Sequence, residues 1–260
     1  MGLKKKTRRY SRLISQFSNW LSFLFFKAGK SESFNFKLRS GLEIDVKRNM
    51  LPPFKESFFD NVYLKELPAS AAQMAKPIII DIGGNVGFFS LNMFAQFPKA
   101  RVHTFEPMPF NFNQLANYQK AYPEFNWKVY NKGIAEHEDG FSLFSSTVEG
   151  FSTMASIDPT EGKGKEIKVK TQKLESLIEE EQIKKIDLIK LDCEGSEYPI
   201  LYNLPEEVLE MVRYMSIETH QSKTAGNSHA ELKSFLEKKN WLTRATMNSD
   251  GTGYIWAWKD

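Results

Sequence analysis

Two groups of residues in this 260-residue sequence have the types and spacing to do chemistry. The first is Asp81-Ile-Gly-Gly-Asn-Val-Gly87, entered from the β-branched run Ile78–Ile80 and left into the apolar-periodic Phe88, Leu91 and Phe94. That pattern predicts a buried strand, a tight turn and a helix. Such a turn aims backbone N–H groups and a helix N-terminus at a ligand, and Gly83, Gly84 and Gly87 would let it approach the main chain. A nucleotide-like cofactor is the first expectation. The dinucleotide fingerprint Gly-x-Gly-x-x-Gly is absent, because counting from Gly83 its later glycines fall on Asn85 and Phe88. Asn85 is of the non-glycine type that best tolerates a left-handed turn, and Asp81 at the strand's carboxyl end suits a ligand carrying positive charge. Nineteen positions after Gly87, a second strand, Val102–Phe105, ends in Glu106 and Pro107, the spacing at which a carboxylate meets ribose hydroxyls. A ribose beside a positive charge points to S-adenosylmethionine.

The second group lies at two later strand ends. Asp192, with Glu194 and Glu197 following, closes the strand Ile186–Leu191; Glu218 and His220 close another that begins at Met215. Methyl transfer from a sulfonium to a hydroxyl needs the oxygen, carbon and sulfur in line and a base for the hydroxyl proton. His220 is the preferred base because a free imidazole titrates near neutrality. Asp192 is the alternative, as holder of the cofactor's amino group or of the substrate hydroxyl, with Glu218 beside it and Lys190 pairing with a neighbouring carboxylate. Asp192, Glu194, Glu218 and His220 also have the ligand types for a divalent metal such as Mg²⁺, but no tight spacing requires one. Cys193, the single cysteine, excludes an intramolecular disulfide and reads as a buried small side chain. His103, His137 and His229 stand in no motif.

The segments Asp81–Gly87, Phe105-Glu-Pro107 and Asp187-Leu-Ile-Lys-Leu-Asp-Cys-Glu-Gly-Ser-Glu197 resemble the successive motifs of the FkbM family of S-adenosylmethionine-dependent methyltransferases. The Lys-x-Asp-x-Glu-Gly-x-Glu run is the most particular of them, and the resemblance extends from about Phe34 to the C-terminus. It implies a Rossmann-like class I methyltransferase: an α/β fold with a mostly parallel twisted sheet, helices on both faces and an antiparallel end. It also implies a cofactor site drawn from Asp81, Gly83, Gly84, Asn85, Gly87, Phe88, Glu106, Pro107, Asp192 and Glu194, and O-methylation of a hydroxyl on a sugar, glycolipid or natural product. A nucleic-acid methyltransferase is the competing enzyme. The amino-methylating DNA enzymes carry Asp/Asn-Pro-Pro-aromatic where this chain has Asp192-Cys-Glu-Gly, and no base-flipping pocket is suggested. A non-catalytic, membrane-tethered cofactor-binding scaffold is a third reading.

The elements that position these residues follow from the alternation of strands and helices from Pro77 onward. A helix is expected near Asn111–Lys120, a third strand at Asn126–Asn131, and Asn131, Lys132 and Gly133 are placed on the adenine side. Extended segments, Gly140–Ser146 and Ile167–Thr171, flank Pro159–Gly164, which reads as a substrate lid. A helix at Leu174–Ile183, another at Glu231–Lys239 and closing strands at Trp241–Met247 and Tyr254–Trp258 complete the unit, residues 77–260. Residues 31–76 hold a hairpin, Phe34–Leu38 with Leu42–Val46, then a break at Pro52-Pro53; this region is expected to cover part of the pocket without a catalytic role. Residues 1–30 carry eight basic residues and no acid, leaving twenty-seven basic against thirty-two acidic residues in the remainder. The body is therefore mildly acidic, which disfavours a nucleic-acid partner. Tyr10, Leu13, Ile14, Phe17, Leu21 and Leu24 fall at helical spacing in the basic segment, predicting one amphipathic helix. Two roles suit it: an anchor on an anionic bilayer, or docking on its own domain or a twin subunit in a homo-oligomer. No export signal or span is read, so a cytoplasmic protein, peripheral on the inner face of a membrane if the anchor operates, is the expectation.

Overall fold

The computed structural model describes residues 3–145, 155–156 and 165–259. It opens with two helices, α1 (Leu3–Gln16) and α2 (Trp20–Ala28), where the periodicity predicts one. The break comes at Phe17, which bridges Leu38, and Ser18, whose N–H donates to the Lys37 carbonyl at 2.9 Å. Asn19 then donates to the Asn35 carbonyl at 2.7 Å and accepts from the Lys37 N–H at 3.0 Å. These bonds tie the turn to the predicted hairpin, β1 (Ser33–Lys37) and β2 (Glu43–Lys47). Pro52-Pro53 does not break the chain; it opens α3 (Leu51–Lys55), because a residue without an N–H loses nothing in a helix's first turn. The chain continues into a π-helical turn, Glu56–Asp60, ended by Asn61 in a left-handed conformation.

The catalytic-type unit follows as β3 (Ile78–Ile82), α4 (Phe88–Gln96), β4 (Arg101–Phe105), α5 (Pro109–Ala121) and β5 (Asn126–Tyr130). Short strands β6 (Gly133–Ile134), β7 (Phe141–Ser145), β8 (Ala155–Ser156), β9 (Lys165–Val169) and β10 (Thr171–Gln172) come next. The segment read as a lid, Pro159–Gly164, lies outside the described residues. The chain closes with α6 (Leu174–Glu180), β11 (Ile186–Leu191), α7 (Glu197–Tyr202), α8 (Glu206–Met211), β12 (Val212–Thr219), α9 (His229–Lys238), β13 (Leu242–Met247) and β14 (Gly253–Trp258). The main sheet runs β13-β14-β12-β11-β3-β4-β5, parallel throughout except that β14 lies antiparallel to both β12 and β13. The expected mostly parallel sheet with an antiparallel end is therefore present. Central strands β3 and β11 are buried on both faces, as strands covered by helices on each side must be, and are apolar apart from Asp81, Asp187 and Lys190. Their register sets Lys190 opposite Asp81.

The three segments distinguished by sequence share one core rather than three. Leu13, Phe17, Phe23 and Phe26 of the N-terminal helices are buried in the same cluster as Phe54, Phe58, Phe88 and Leu91. Phe36 stands among them, its ring centroid 4.2 Å from Phe54, 4.9 Å from Phe23 and 5.2 Å from Phe17. Asn92 on α4 fixes the π-helical turn from the other side, donating to the Ser57 carbonyl at 2.9 Å and to Asn61 Oδ1 at 3.1 Å. Arg9 forms an ion pair with Asp60 at the end of that turn. One face of the N-terminal helices is thus docked on the chain's own domain. Phe36→Ala is expected to destabilise the protein by about 3–5 kcal/mol, since it removes a fully buried ring that α1, α2 and α3 share. Urea unfolding measures this; a loss below about 1 kcal/mol would mean the N-terminal helices are not part of the cooperative core.

Candidate active site

A cavity of about 350 Å³ opens at the carboxyl ends of β3, β4, β11 and β12, where doubly wound sheets collect ligands. Gly83, Gly84, Asn85 and Phe88 line it from the first turn, and Glu106, Pro107 and Gly133 from the next two strand ends. Asp81, Gly87, Asn131 and Lys132 do not reach it among the described residues. The glycines serve the protein's own packing rather than a ligand's approach. A Cβ at Gly83 would lie 1.8 Å from the Asp192 carbonyl oxygen, and one at Gly84 2.1 Å from Thr104 Cγ2. Their N–H groups also turn inward: both donate to the Phe105 carbonyl, at 3.0 and 2.8 Å. The expected cradle of ligand-facing N–H groups is therefore replaced by a clamp between β3 and β4.

Asp81 sits behind the wall, fully buried. Its Oδ2 accepts from Ser90 Oγ at 2.7 Å and its Oδ1 lies 3.3 Å from Lys190 Nζ. Burial raises its carboxyl, and Lys190 and Ser90 oppose that rise. Asp81 is thus a support for the site and not a contact in it. Glu106 is the carboxylate on the wall: its oxygens accept from the N–H groups of Asn85 and Met108, both at 2.8 Å. Burial nevertheless pushes it up to about 8. Each oxygen keeps a lone pair for a ligand hydroxyl. Asn131 holds this loop from outside, donating to the Glu106 and Pro107 carbonyls at 2.9 and 3.1 Å, while Lys132 turns away to Gln172 Oε1 at 3.0 Å. Asn85 lines the cavity, and its Oδ1 is buried with no hydrogen-bond partner among the described residues. Beyond it, Met108, Ile134, Phe141 and Leu143 give an apolar slot.

The other end of the cavity is built on Lys190, whose side chain is 3% exposed. Its ammonium donates to the Gly83 carbonyl at 2.5 Å and lies 3.3 Å from Asp81 and 3.4 Å from Asp192. Burial alone would lower its pKa, but Asp192 and Asp81 together keep it protonated. Asp192 lines the cavity and also accepts from the Tyr63 hydroxyl at 2.9 Å. Burial alone would raise its carboxyl, yet Lys190, His220 and Tyr63 hold it below the usual carboxylate range. His220 differs from the sequence expectation. Its Nδ1 lies 3.2 Å from Glu197 Oε1, and its Nε2 3.8 Å from Asp192 Oδ1 and 3.7 Å from Glu194 Oε2. Burial works against charge there, but Glu197, Asp192 and Glu194 push the imidazole up to about 10. It therefore carries its proton at neutral pH and has no free lone pair for a substrate's. Glu197, fully buried, fixes this corner by also accepting from the N–H groups of His220 and Gly195, at 2.7 and 2.9 Å.

Glu218 lines the same end, and burial with Asp192 and Glu56 pushes its carboxyl up to about 9. Among the described residues no group of three or more His, Cys, Asp or Glu has the geometry to hold a metal ion. Cys193 is half-buried on the cavity lining rather than fully buried as expected; burial, then Glu197 and Asp192, drives its thiol well up, which disfavours the reactive thiolate. His103 and His229 are structural, meeting Tyr130 Oη at 3.0 Å and Thr219 Oγ1 at 2.8 Å. Glu56 and Tyr63 were not expected here. They come from the region assigned no catalytic role, and no motif marks them; only the proline-opened helix and the turn after it bring them to the cavity.

Lys190→Met should destabilise the protein by about 3–5 kcal/mol, because it leaves Asp81 and Asp192 buried without their cation. The contribution of Asp192 to the pH dependence should also reverse. In the wild type the depressed Asp192 contributes stability that is complete above its unfolded value of about 3.9 and lost as pH falls below it. In the variant, burial raises Asp192 as well as Asp81, so stability should grow more steeply than in the wild type as pH falls from 7 toward about 5. Urea titrations across that range would show it, and an unchanged slope would contradict the assigned role of Lys190.

Comparison with known proteins agrees with this architecture. Residues 81–241 match the family described as the methyltransferase FkbM domain. "Methyltransferase 1" of Beauveria bassiana is 26% identical over 205 residues, covering 72% of this chain and 79% of its own length. The "31-O-demethyl-FK506 methyltransferase FkbM" of Streptomyces tacrolimicus is 24% identical over 195 residues, 64% of this chain and 73% of its own. In shape, the crystal structure of "Methyltransferase FkbM" from Methylobacillus flagellatus KT superposes with a TM-score of 0.53 at 14% identity over 76% of this chain, which spans 47% of that longer one. With its family motif spanning the sheet and both walls of the cavity, this chain belongs to the FkbM methyltransferase domain family.

Proposed function

We propose that the chain is an S-adenosylmethionine-dependent O-methyltransferase whose acceptor is an uncharged hydroxyl compound, such as a sugar, glycolipid or natural product. The observation that carries this is the placement of Asp192, facing the cavity beside Lys190 and Tyr63, together with Glu106 on the wall at the opposite strand end. The cavity suits this cofactor in three respects. The first turn has already spent its glycine N–H groups on Phe105, which removes the phosphate cradle a dinucleotide needs. Glu106 keeps acceptor capacity for a ribose diol, and the unpartnered Asn85 Oδ1 awaits a donor. Asp192 and Glu194 at the other end offer acceptor oxygens to a ligand's amino group. When bound, the cofactor supplies a methyl group already activated by a sulfonium.

The chain's own residues then have to orient the acceptor and take its proton. Asp192 is the group we assign to that proton. It is ionised, reaches the cavity, and is held by Tyr63 on one oxygen while the other faces His220. His220, locked as imidazolium by Glu197, stabilises the ionised Asp192 and positions it; it is not the base. The Streptomyces tacrolimicus relative's name specifies an O-methylation, which supports a hydroxyl acceptor here. A nucleic acid would set its phosphates against Asp192 and Glu194 on a mildly acidic body, so that reading gains nothing from the cavity.

Calorimetric titration of S-adenosylmethionine should give saturable binding that is lost in an Asn85→Ala/Glu106→Gln double variant. Absence of binding to the folded wild type would favour the scaffold reading. Asp192→Asn should lower kcat by roughly 10²–10⁴-fold on any hydroxyl acceptor found by screening. The pH profile separates the two base assignments. With Asp192 as acceptor, kcat shows no sustained rise from pH 7 toward pH 10, where His220 loses its proton, whereas a general base at His220 would make kcat climb tenfold per pH unit toward that value.

A further inference from the structure

We infer that the outer face of α1 and α2 is a docking surface for an anionic lipid bilayer, an interaction independent of the methyl-transfer assignment. Among the described residues six large apolar side chains are exposed, and four of them, Tyr10, Ile14, Leu21 and Phe25, lie on these two helices. Phe25 is the most exposed of all, at 79%. Tyr10 and Ile14, like Leu21 and Phe25, are four residues apart, so each pair forms a stripe on one side of its helix. The opposite sides are already used: Leu13 and Phe17, then Phe23 and Phe26, are buried in the phenylalanine cluster. Phe36 and Phe59 each contact both Phe17 and Phe23, so the two helices lie side by side on one support. A helix with a single apolar face would have spent it on that support. These helices are apolar on a second side as well.

Charge decides what covers that second side. The first thirty residues carry eight basic residues and no acid. Arg8, Lys27 and Lys30 are exposed, and Arg39 is pinned to the patch itself, its guanidinium donating to the Ile14 carbonyl at 3.3–3.4 Å. On the support side, burial first and then Lys27, Arg9 and Arg48 lower the pKa of Lys55, so positive charge gathers there as well. A second copy of the chain meeting through this face would set one basic patch against another, which like-charge repulsion disfavours. A bilayer with anionic headgroups satisfies both features at once, taking the aromatic and aliphatic side chains into the acyl boundary and the cations at the phosphate level. No helix among the described residues is long and apolar enough to cross a membrane, so the contact would be a surface one.

The placement has a consequence for the cavity. Pro52, Pro53, Glu56 and Ser57 line it from α3 and the π-helical turn, while Phe54, Phe58 and Phe59 of that same stretch carry the N-terminal helices. A bilayer on the outer face would therefore stand one helix layer from the cavity wall. That geometry suits an acceptor held at the lipid surface.

The test is co-sedimentation of the full chain with sucrose-loaded vesicles of phosphatidylcholine alone and of phosphatidylcholine mixed with phosphatidylglycerol. Binding should require the anionic lipid and fall at high salt. Leu21→Ser/Phe25→Ser should weaken it at least roughly tenfold, as expected for removing two membrane-inserting side chains. Arg8→Glu/Lys27→Glu should do likewise through charge, whereas Leu242→Ser/Met247→Ser, which removes exposed apolar groups from the far sheet edge, should leave it unchanged. All three variants alter exposed side chains, and circular dichroism melts would confirm that each remains folded. No association with anionic vesicles, or equal association in the Leu21/Phe25 variant, would overturn the inference. So would a lipid-free dimer that dissociates on Phe25→Ser, because the face would then belong to a second copy.

Discussion

Burying one ammonium group in the middle of a parallel sheet is the constraint on which the rest of this site depends. An isolated cation taken out of water costs several kcal/mol, so Lys190 requires anions and carbonyls within reach. It finds them because β3 and β11 are paired with Lys190 opposite Asp81, and because the chain after β11 returns Asp192 to the same point. The Gly83 carbonyl completes the arrangement. The same contacts decide the chemistry: Lys190 keeps Asp192 ionised in a place where burial alone would neutralise it. The glycine at position 83 follows from this closeness, since the Asp192 carbonyl occupies the volume a side chain would need. The Asp-x-Gly-x-Asn-x-Gly and Lys-x-Asp-x-Glu-Gly-x-Glu motifs are thus two halves of one packed joint.

Fold and site were legible to different degrees, for physical reasons that particular residues make clear. Strands such as Ile186–Leu191 are bounded by sequence because β-branched and apolar runs buried on both faces have few alternatives. The helix break at Phe17 was not legible: the heptad-like spacing continues through it, and only the hairpin bonds from Ser18 and Asn19 explain why the chain turns there. Pro52-Pro53 was misread because the same two residues that end a helix also begin one. Glu106, Asp192 and the family motif were visible as types at fixed spacing. Glu56 and Tyr63 were not, since they reach the cavity through contacts across more than a hundred residues, such as Tyr63 to Asp192. The charge state of His220 was the least legible, because it is set by Glu197, Asp192 and Glu194, brought together by two strand ends. Its unperturbed pKa is a poor guide once three carboxylates surround it.

The aromatic cluster gives the N-terminal region a role in the site without placing it in contact with the chemistry. Phe17, Phe23 and Phe26 stiffen the stretch from Pro52 to Asp60 on one side, and Asn92 holds it on the other. Glu56 projects from that stretch toward the cavity and accepts a hydrogen bond from Tyr254 on β14. Changes in the N-terminal helices can therefore be felt at the acceptor end through a shift of Glu56 and Tyr63. The positions that such a shift would move lie outside the family match at residues 81–241, which is where a family with a shared cofactor turn has room to vary its acceptor.

Charge balance at that end narrows the acceptor further. Glu56 and Glu218 are both raised by burial first; Asp192 raises each of them and Glu56 also raises Glu218, while Tyr254 is raised by burial and by those two acids. A neutral Glu218 can donate as well as accept a hydrogen bond, and Glu56 already takes one from Tyr254, so this corner offers polar contacts with little net charge. Asp192 is the ionised exception, balanced by Lys190 and His220. An acceptor bearing phosphate or carboxylate would upset that balance by confronting Asp192 and Glu194, and the two cations that line the cavity among the described residues, Lys190 and His220, are already engaged. An uncharged polyhydroxyl acceptor leaves every pairing intact and can satisfy both the donor and acceptor groups on the wall. Under the proposed function, the selectivity comes from what the site refuses, and the refusal follows from a buried Lys190 and a half-buried His220 that are already paired with carboxylates.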